Sequence, residues 1–391
     1  MIQKFYLEKL SELENNFSVK IITGVRGVGK TTLLKNFAEK LLAQGVPQEE
    51  IIFVDCAENF RPKNFQWLYD LVTERTANLE RFFLLADEID RVDEWEKAVN
   101  ALFVGAPAEI FVTGASDVLA EKISALLPEN CDVLKMLPLS FVEYSKIFPQ
   151  KKSTTILKDF LNFGALPVTA DVHKNILPKL LRGVGYKINF ELVAQNSLYN
   201  AEIFRAMTNY LAANIGVATN TNRLGEYLES LGHKTNMITV RKYFEIIMNA
   251  GIFKRIPCAA VDGDRIISGT KKFYCVDNGL LRALSFSKDI DEKILVENAV
   301  CMELLRRSAD VRFAHFGGDM SVNFVVKPSG EKIFFYAAAA GDNAKDFVDL
   351  LPALPKHSRK ILISYSPRRN FGGVECVTLK NFLSNTDIFL M

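Results

Sequence analysis

The stretch that decides the fold is Lys20-Ile-Ile-Thr-Gly-Val-Arg-Gly-Val-Gly-Lys-Thr31, followed by Thr32-Leu-Leu-Lys-Asn-Phe-Ala-Glu-Lys-Leu-Leu42. Its centre, Gly24 to Thr31, matches G-x-x-x-x-G-K-[ST], a loop type whose backbone cradles phosphates. An apolar run precedes this loop and a helical pattern follows it, which is the strand–loop–helix context that the motif requires. The sequence therefore predicts a phosphate-binding loop between a buried strand and a helix.

The residue types of this loop fit a nucleoside triphosphate bound together with Mg²⁺. Glycines carry no Cβ, so the backbone can curl, approach the phosphates closely and point its amides at them. Lys30 is expected to reach the β- and γ-phosphates, and Thr31 to place its hydroxyl on the metal. The residues expected to contact ATP are Gly24, Arg26, Gly27, Val28, Gly29, Lys30, Thr31 and Thr32.

A second apolar run, Phe82-Phe-Leu-Leu-Ala-Asp87-Glu88, ends in two carboxylates. Asp87 is expected to hold Mg²⁺, and Glu88 to orient and deprotonate the attacking water, so that Glu88 and Lys30 are the predicted catalytic residues. The strand-like run Ile51–Asp55 separates this acidic strand from the loop strand. That spacing and the adjacent glutamate favour the additional-strand, catalytic-glutamate ATPases over kinases and GTPases.

Polar side chains also follow the next predicted strand, residues 109–113. Thr113 and Ser116 are candidates for contacting the γ-phosphate or the attacking water. A helix cap formed by Ser116 is an equally good interpretation, because serine is a preferred N-cap residue.

Length and composition restrict the remaining possibilities. A chain of 391 residues is expected to form two or three domains, and a net charge of +2 argues against general polyanion binding while allowing a local basic patch. The six cysteines form no CxxC pair and the four histidines lie far apart, so neither residue type predicts a metal site, and the cysteines are expected to be buried and reduced. Because the first 16 residues lack a signal-peptide core and no apolar run could span a bilayer, we expect a cytoplasmic protein.

Short apolar runs alternate with helical segments in the first third of the chain, which predicts an α/β fold with a parallel sheet between helices. The runs are residues 19–23, 51–55, 82–86, 109–113 and 133–137. Helical patterns dominate residues 141–248, and a helix over Glu292–Arg307 followed by three strand-like runs indicates a smaller α/β unit. The expected parts are a P-loop domain (1–140), a helical and winged-helix region (141–284) and a last domain (285–391).

The middle region has the residue order of a winged helix. Two apolar helical faces, Leu224/Leu228/Leu231 and Val240/Phe244/Ile247, are followed by a hairpin signal at Asp262-Gly263. DNA contact would use the basic residues Lys234, Arg241, Lys242, Lys254 and Arg255. Nearby glutamates dilute this charge, so packing or a protein contact through the same face is the alternative.

The sequence resembles the bacterial and archaeal AAA-type ATPases, related to signal-transduction ATPases, whose C-terminal domain of unknown function is similar to a restriction-endonuclease fold. The resemblance rests on phrases in the family's order at residues 24–34, 87–95, 113–119, 137–144, 164–167, 271–279 and 296–298. It implies a Mg²⁺-dependent ATPase that acts as a switch or motor through Lys30, Thr31, Asp87 and Glu88. The alternative is a nucleotide-dependent module that binds protein or DNA with negligible hydrolysis.

The sequence departs from the family pattern in two places. Where relatives carry Gly-Arg, residues 126–130 read Leu-Leu-Pro-Glu-Asn, which predicts slow hydrolysis if that arginine assists it; Arg26 and Arg91 are the nearest alternatives. An endonuclease of this fold needs a helix glutamate, a strand aspartate and Glu-x-Lys to hold Mg²⁺ and activate water. Glu297 fits the first position, but Asn323 and Ala337-Ala-Ala339 occupy the others, so this domain is expected to lack nuclease activity.

Overall fold

The computed structural model describes residues 4–58, 63–115, 118–169, 172–260, 266–285, 289–308, 310–316, 321–328 and 331–385. The chain divides into two compact units, Met1–Leu137 with Asn249–Gly251 and Pro138–Met248 with Ile252–Met391. Ser116 and the Asp262-Gly263 turn, both singled out in the sequence, lie outside the described residues. The division into three parts at residues 140 and 284 stays a prediction.

The first unit alternates strands and helices. Its elements are α1 (Lys4–Glu12), β1 (Val19–Thr23), α2 (Lys30–Ala43), β2 (Ile51–Asp55), β3 (Lys63–Asn64), α3 (Phe65–Thr76), β4 (Phe82–Asp87), β5 (Val92–Asp93), α4 (Trp95–Gly105), β6 (Ala108–Gly114), α5 (Val118–Leu126) and β7 (Cys131–Lys135). Five strands form a parallel sheet in the order β2-β4-β6-β1-β7. This confirms the predicted α/β fold, and it places β6 between the strand before the loop and the strand that ends in Asp87.

The last strand of this sheet begins and ends two residues earlier than predicted. Residues 136 and 137 were assigned to it from their apolar character, but the amide of Leu137 donates to the hydroxyl of Tyr6 at 2.9 Å. Pro138 follows and has no amide hydrogen to continue a ladder. The strand therefore ends at Lys135.

A charged residue lies inside the most buried strand of this sheet. All five residues of β1 are buried, including Lys20, whose side chain is 1% exposed. Its ammonium donates to the carboxylate of Glu109 on neighbouring β6 and lies 5.1 Å from the centre of the Phe111 ring. Because an unpaired buried charge is costly, this ion pair fixes the side chains of β1 and β6 against each other.

The second unit combines helices with a mixed sheet. Its elements are α6 (Phe141–Ile147), α7 (Ser153–Phe163), α8 (Leu177–Gln195), α9 (Ala201–Ala213), α10 (Thr221–Ser230), α11 (Met237–Asn249), β8 (Phe253–Ala259), β9 (Ile266–Cys275), α12 (Asn278–Leu284), α13 (Glu292–Arg307), β10 (Val311–His315), β11 (Ser321–Val326), β12 (Ile333–Ala338), α14 (Lys345–Leu350), β13 (Arg359–Ser364), β14 (Val374–Thr378) and α15 (Leu379–Ser384). Seven strands form one sheet in the order β14-β13-β12-β11-β10-β8-β9. The smaller α/β unit expected near the end of the chain is present, and α13 spans the predicted helix.

The middle elements follow each other in the order of a winged helix. α10 and α11 are succeeded by β8 and β9, which pair antiparallel, but β8 also pairs in parallel with β10 and so belongs to the large sheet. Leu224 and Leu228 are buried as expected, whereas Leu231 is 51% exposed because α10 ends at Ser230. The winged-helix assignment itself stays a prediction.

Two sequence expectations concern cysteines and membrane helices. Cys131 and Cys376 are half-buried, in contrast to the expectation that all six cysteines are buried, and none of the six is in a disulfide. Neither α8 nor any other helix within the described ranges has the combination of length and apolar character needed to cross a bilayer.

A buried polar network joins three of the phrases that carry the family resemblance. Asp277 caps α12 by accepting from the amide of Leu280, and its second oxygen accepts from the amide of Ala165 at 2.6 Å. Asn278 donates to backbone carbonyls of α7 and α13, and Asn298 donates to the side chain of Asn278 at 2.9 Å. Gly164 has φ +70°, and a Cβ there would clash with the Asp277 carboxyl. These residues therefore join α7, α12 and α13.

The network predicts a pH-dependent contribution to stability. Burial raises the pKa of Asp277 to about 6, although the amides of Ala165 and Leu280 act in the opposite direction. In the unfolded chain the Asp277 carboxyl releases its proton near pH 4. The stability that the protonated carboxyl adds to the folded state is therefore fully present below about pH 4 and is lost as the pH rises through about 6. The difference corresponds to roughly 3 kcal/mol.

We therefore expect the melting temperature of the wild type, measured relative to Asp277→Asn by calorimetry, to decrease between pH 4.5 and 7.5. The exposed Asp349 provides a matched control, and Asp349→Asn should follow the wild type over the whole range. A difference between wild type and Asp277→Asn that does not change with pH would contradict this account.

Candidate functional site

The loop between β1 and α2 has the backbone conformation that only glycine adopts readily. Gly24 has φ +153°, and a Cβ there would lie 2.6 Å from the carbonyl oxygen of Met136. Gly29 has φ +98° and forms the N-cap of α2 without a side-chain hydrogen bond. Larger residues at these two positions would displace the loop, because they disfavour positive φ. The predicted glycines thus shape a compact turn at the helix start.

The first turn of α2 presents backbone amides at this loop. The amide of Leu33 donates to the carbonyl of Gly29 at 2.9 Å and is the first to bond within the helix. The amides of Lys30, Thr31 and Thr32 precede it and have no carbonyl four residues back within the helix. A helix N-terminus of this kind attracts anions, because its amides and its dipole both present positive charge.

Lys30 adds a full positive charge beside these amides. Its side chain is 8% exposed, and its ammonium donates to the carbonyl oxygen of Gly24 at 2.7 Å. Burial lowers the pKa of Lys30, while the negative charges of Asp90, Glu88 and Asp87 raise it. The carboxylates at the end of β4 are therefore close enough to stabilise this ammonium in its charged form.

Asp87 and Glu88 are joined by a hydroxyl from β6. The hydroxyl of Thr113 donates to Asp87 Oδ1 at 2.5 Å and accepts from the amide of Glu88 at 3.0 Å. Both Asp87 and Thr113 are almost completely buried. Thr113 was considered as a possible contact to the γ-phosphate or the water, but its proton is directed at Asp87. Its position therefore fixes the carboxylate of Asp87 and the backbone of Glu88.

Glu88 lies in a strained backbone conformation with its carboxylate between two arginines. Its φ of +50° is in the left-handed region, which is uncommon for residues other than glycine. Arg91 Nε lies 3.2 Å from one carboxylate oxygen, and Arg26 Nη1 lies 3.7 Å from the other. Arg26 and Arg91, considered from the sequence as substitutes for a missing arginine, thus both contact the predicted base.

Sequence reasoning missed Asp90, which belongs to the same cluster. The side chain accepts from the amide of Ala115 at 3.1 Å, and its negative charge acts on Lys30. Only the spacing Asp87-Glu-Ile-Asp90 hinted at it, because a short helical turn over Ile89–Arg91 brings its side chain back toward the loop. Asp90 holds the end of β6 to the segment that follows β4.

The donor set at this site fits Mg²⁺ only in combination with phosphate oxygens. No cluster of three or more histidine, cysteine, aspartate or glutamate side chains that could hold a metal occurs among the described residues. Mg²⁺ commonly binds one or two carboxylates and takes its other ligands from phosphates and water. The hydroxyl of Thr31 and the carboxylate of Asp87, predicted from the sequence as metal ligands, are oxygen donors of the type that such an arrangement uses.

Other residues singled out in the sequence are engaged within the second unit. The hydroxyl of Tyr274 donates to Glu297 Oε1 at 2.7 Å, and the side-chain oxygen of Asn323 accepts from the amide of Ala337 at 3.2 Å. In the predicted DNA-binding patch, Arg255 pairs with Glu245 at 2.6 Å. That ion pair reduces the positive charge available on this face.

The bridging hydroxyl of Thr113 can be tested directly. Thr113→Val keeps the shape of the side chain but leaves the buried Asp87 oxygen and the Glu88 amide without their partner. We expect the free energy of unfolding of the first unit to fall by about 1–3 kcal/mol, measured by denaturant titration. Thr113→Ser keeps the hydroxyl, so its free energy of unfolding should fall much less than that of Thr113→Val. Equal stabilities for valine and serine variants would show that the bridge does not contribute.

Comparison with models of known protein families gives two matches. A family model described as an AAA domain matches residues 16–145. A second model, a domain of unknown function (DUF8612), matches residues 189–291. Neither match supports the predicted likeness of the C-terminal domain to an endonuclease, which stays a prediction.

Similar proteins include one relative found by sequence and one found by structure. An uncharacterized protein of Haemophilus influenzae is 26% identical over 393 residues, covering 97% of each chain. A Walker-type ATPase of Pyrococcus abyssi superposes with a TM-score of 0.51 at 14% identity, covering 72% of this chain and 95% of that one. At such identity the second likeness concerns the fold. Together with the AAA match, it shows that the first unit has the fold of an AAA-type P-loop ATPase.

Proposed function

We propose that the first unit binds ATP with Mg²⁺ and hydrolyses it, and that the protein acts as a molecular switch or motor. The observation that carries this proposal is the convergence of the α2 amides, the Lys30 ammonium and the Asp87–Glu88 pair on one loop. An anion bound there would meet positive charge from the backbone and from one side chain. In this proposal the two carboxylates serve as the metal ligand and the base that hydrolysis of a bound triphosphate requires.

Each residue of the loop has a defined part in binding. The amides of Lys30, Thr31 and Thr32 would donate to phosphate oxygens, and Gly24, Gly27 and Gly29 would allow the backbone to approach them. The Lys30 ammonium, which donates to the carbonyl of Gly24, would exchange this neutral acceptor for a charged phosphate oxygen. Charge-assisted hydrogen bonds are stronger than neutral ones, so this exchange favours binding. Arg26 and Val28 are the other two loop residues that would contact ATP, although the amide of Val28 donates to the carbonyl of Val25 at 3.2 Å.

Hydrolysis would require a base and a metal ligand at the end of β4. Mg²⁺, held by Thr31 and Asp87, would supply positive charge that stabilises the phosphate oxygens. Glu88 would accept a proton from the attacking water as the water oxygen forms a bond to the γ-phosphorus. The bond from that phosphorus to the β–γ bridging oxygen breaks, giving ADP and phosphate. Thr113 keeps Glu88 in position through its backbone amide.

A specific observation favours the alternative, a nucleotide-dependent binding module with negligible hydrolysis. Arg26 and Arg91 both contact the Glu88 carboxylate, so each of its oxygens is already engaged by a guanidinium group. Residues 126–130 also lack the Gly-Arg of the family, and the loss of that arginine likewise favours slow hydrolysis. Under this alternative ATP binding persists without turnover, and the second unit engages a protein or DNA partner in the cytoplasm.

Replacement of Lys30 tests the binding site. Lys30→Ala removes a charge-assisted contact of about 2–3 kcal/mol, so we expect the Kd for Mg-ATP to rise roughly 30- to 150-fold in calorimetric titrations. A thermal unfolding curve of the variant checks that the loss does not come from unfolding. Unchanged affinity in a folded variant would rule out the assignment of this loop.

Replacement of Glu88 separates the ATPase from the binding module. Glu88→Gln should bind ATP as well as the wild type but release phosphate about 10²- to 10⁴-fold more slowly, which is the usual contribution of a general base. Glu94→Gln is the matched control, because Glu94 is another glutamate with positive φ on the same segment but pairs with the exposed Lys97. If the wild-type protein binds ATP but releases no measurable phosphate, the result would support the nucleotide-dependent binding module instead.

A further inference from the structure

A wide groove lies within the helical part of the second unit, in residues that no proposed role uses. Its volume is about 900 Å³, and it is bounded by the end of α7, the exposed side of α8, the start of α9 and α12. Apolar side chains such as Leu181 and Leu284 form part of its surface. A groove of this size exceeds the voids of a packed interior, so it is available to a ligand.

Two aromatic rings on α8 are exposed along this groove. Tyr186 is 65% exposed and Phe190 is 62% exposed, although large aromatic side chains are usually well buried in folded proteins. Their rings lie nearly parallel, 15° apart with centroids separated by 6.3 Å, because they are one helical turn apart. Two near-parallel exposed rings form a surface on which flat groups can stack.

The charged side chains that line the groove are all basic. Arg182, Arg205 and Arg282 line it from three different helices, and no aspartate or glutamate is among the described residues that line it. Arg282 donates to Asn162 at 2.8 Å, but its buried Nε has no hydrogen-bond acceptor in the described part of the chain. Asp289 acts on the charge of Arg282 from nearby without lining the groove. The groove therefore combines exposed aromatic rings with positive charge.

We propose that this groove binds single-stranded nucleic acid. Bases would stack on Tyr186 and Phe190, and the three arginines would neutralise successive phosphates along the strand. The arginines on three helices surround the groove, which suits a flexible chain with one negative charge per nucleotide. A double helix keeps its bases stacked on each other and would leave both rings unused.

An acidic amphipathic peptide is the competing occupant. Such a helix would need apolar side chains for the groove and a row of carboxylates facing the arginines. The near-parallel orientation of the two exposed rings favours flat bases over branched aliphatic side chains. This proposal involves only the second unit and does not depend on ATP binding by the first.

Fluorescence anisotropy with labelled dT15 and rU15, measured without nucleotide, tests the proposal. We expect binding of at least one of the two oligomers, with a slope of log K against log salt of about −2 for three phosphate contacts. The double variant Tyr186→Ala/Phe190→Ala should bind at least tenfold more weakly, since base stacking contributes about 1–3 kcal/mol per ring. Both side chains are exposed, so the variant should fold, and circular dichroism verifies this.

A pair of charge variants locates the binding surface. Arg182→Glu should weaken binding and reduce the salt slope by about 0.7. Lys242→Glu makes the same charge change on the exposed face of α11 and should leave the affinity within twofold. Lys30→Ala, in the other unit, should bind the oligomers like the wild type even if it loses ATP.

Three results would overturn the proposal. The first is no binding of either oligomer by the folded wild type. The second is loss of binding in Lys242→Glu but not in Arg182→Glu, which would assign nucleic acid to α11. The third is tight binding of a helical peptide with leucines flanked by glutamates, lost in the double aromatic variant, with no oligonucleotide affinity.

Discussion

The ammonium group of Lys30, buried at the start of α2, needs compensating groups from several elements of the first unit. A charge removed from water needs compensation, and here it comes from loop carbonyls and from carboxylates at the end of β4. Since β6 lies between β1 and β4, the loop and the carboxylates can meet only if these three strands keep their register. The Lys20–Glu109 pair and the Thr113–Asp87 hydrogen bond link β6 to its two neighbours. The sheet therefore holds the geometry on which the proposed chemistry depends.

Local pattern predicted much of this fold, and long-range contacts account for what it missed. The strands Val19–Thr23 and Ile51–Asp55 and the helix Glu292–Arg307 were predicted residue for residue, because buried strands and amphipathic helices have their own periodicity. The end of β7 was wrong because a side chain 131 residues away accepts the amide of Leu137. Asp90 was missed for a similar reason. It interacts with the charge of Lys30 on α2 and accepts from the amide of Ala115 after β6, and both residues are distant in the sequence. The roles of Lys30, Asp87 and Glu88 in catalysis remain predictions.

The network around Asp277 gives a structural reason for three of the sequence phrases shared with the family, residues 164–167, 271–279 and 296–298. No catalytic role is proposed for them. Asp277, Asn278 and Asn298 satisfy backbone groups of three segments that are far apart in the sequence. Buried polar groups must find partners, so a change in one of them leaves others unsatisfied. Such residues are constrained by the backbone groups that they satisfy. A short phrase shared with a family can therefore indicate packing rather than reaction chemistry.

The small net charge of the chain does not reveal how charge is distributed over its surface. The chain as a whole carries a formal charge of +2, yet three arginines and no carboxylate line the groove beside α8 among the described residues. On α11 the opposite holds, since Glu245 pairs with Arg255 and lowers the charge of the face that the sequence singled out. Counting basic residues along a helix cannot separate these cases, because an ion pair is decided by neighbours from other elements. Phosphate attraction depends on the net charge at close range, so a groove lined by three arginines is the better candidate for a polyanion.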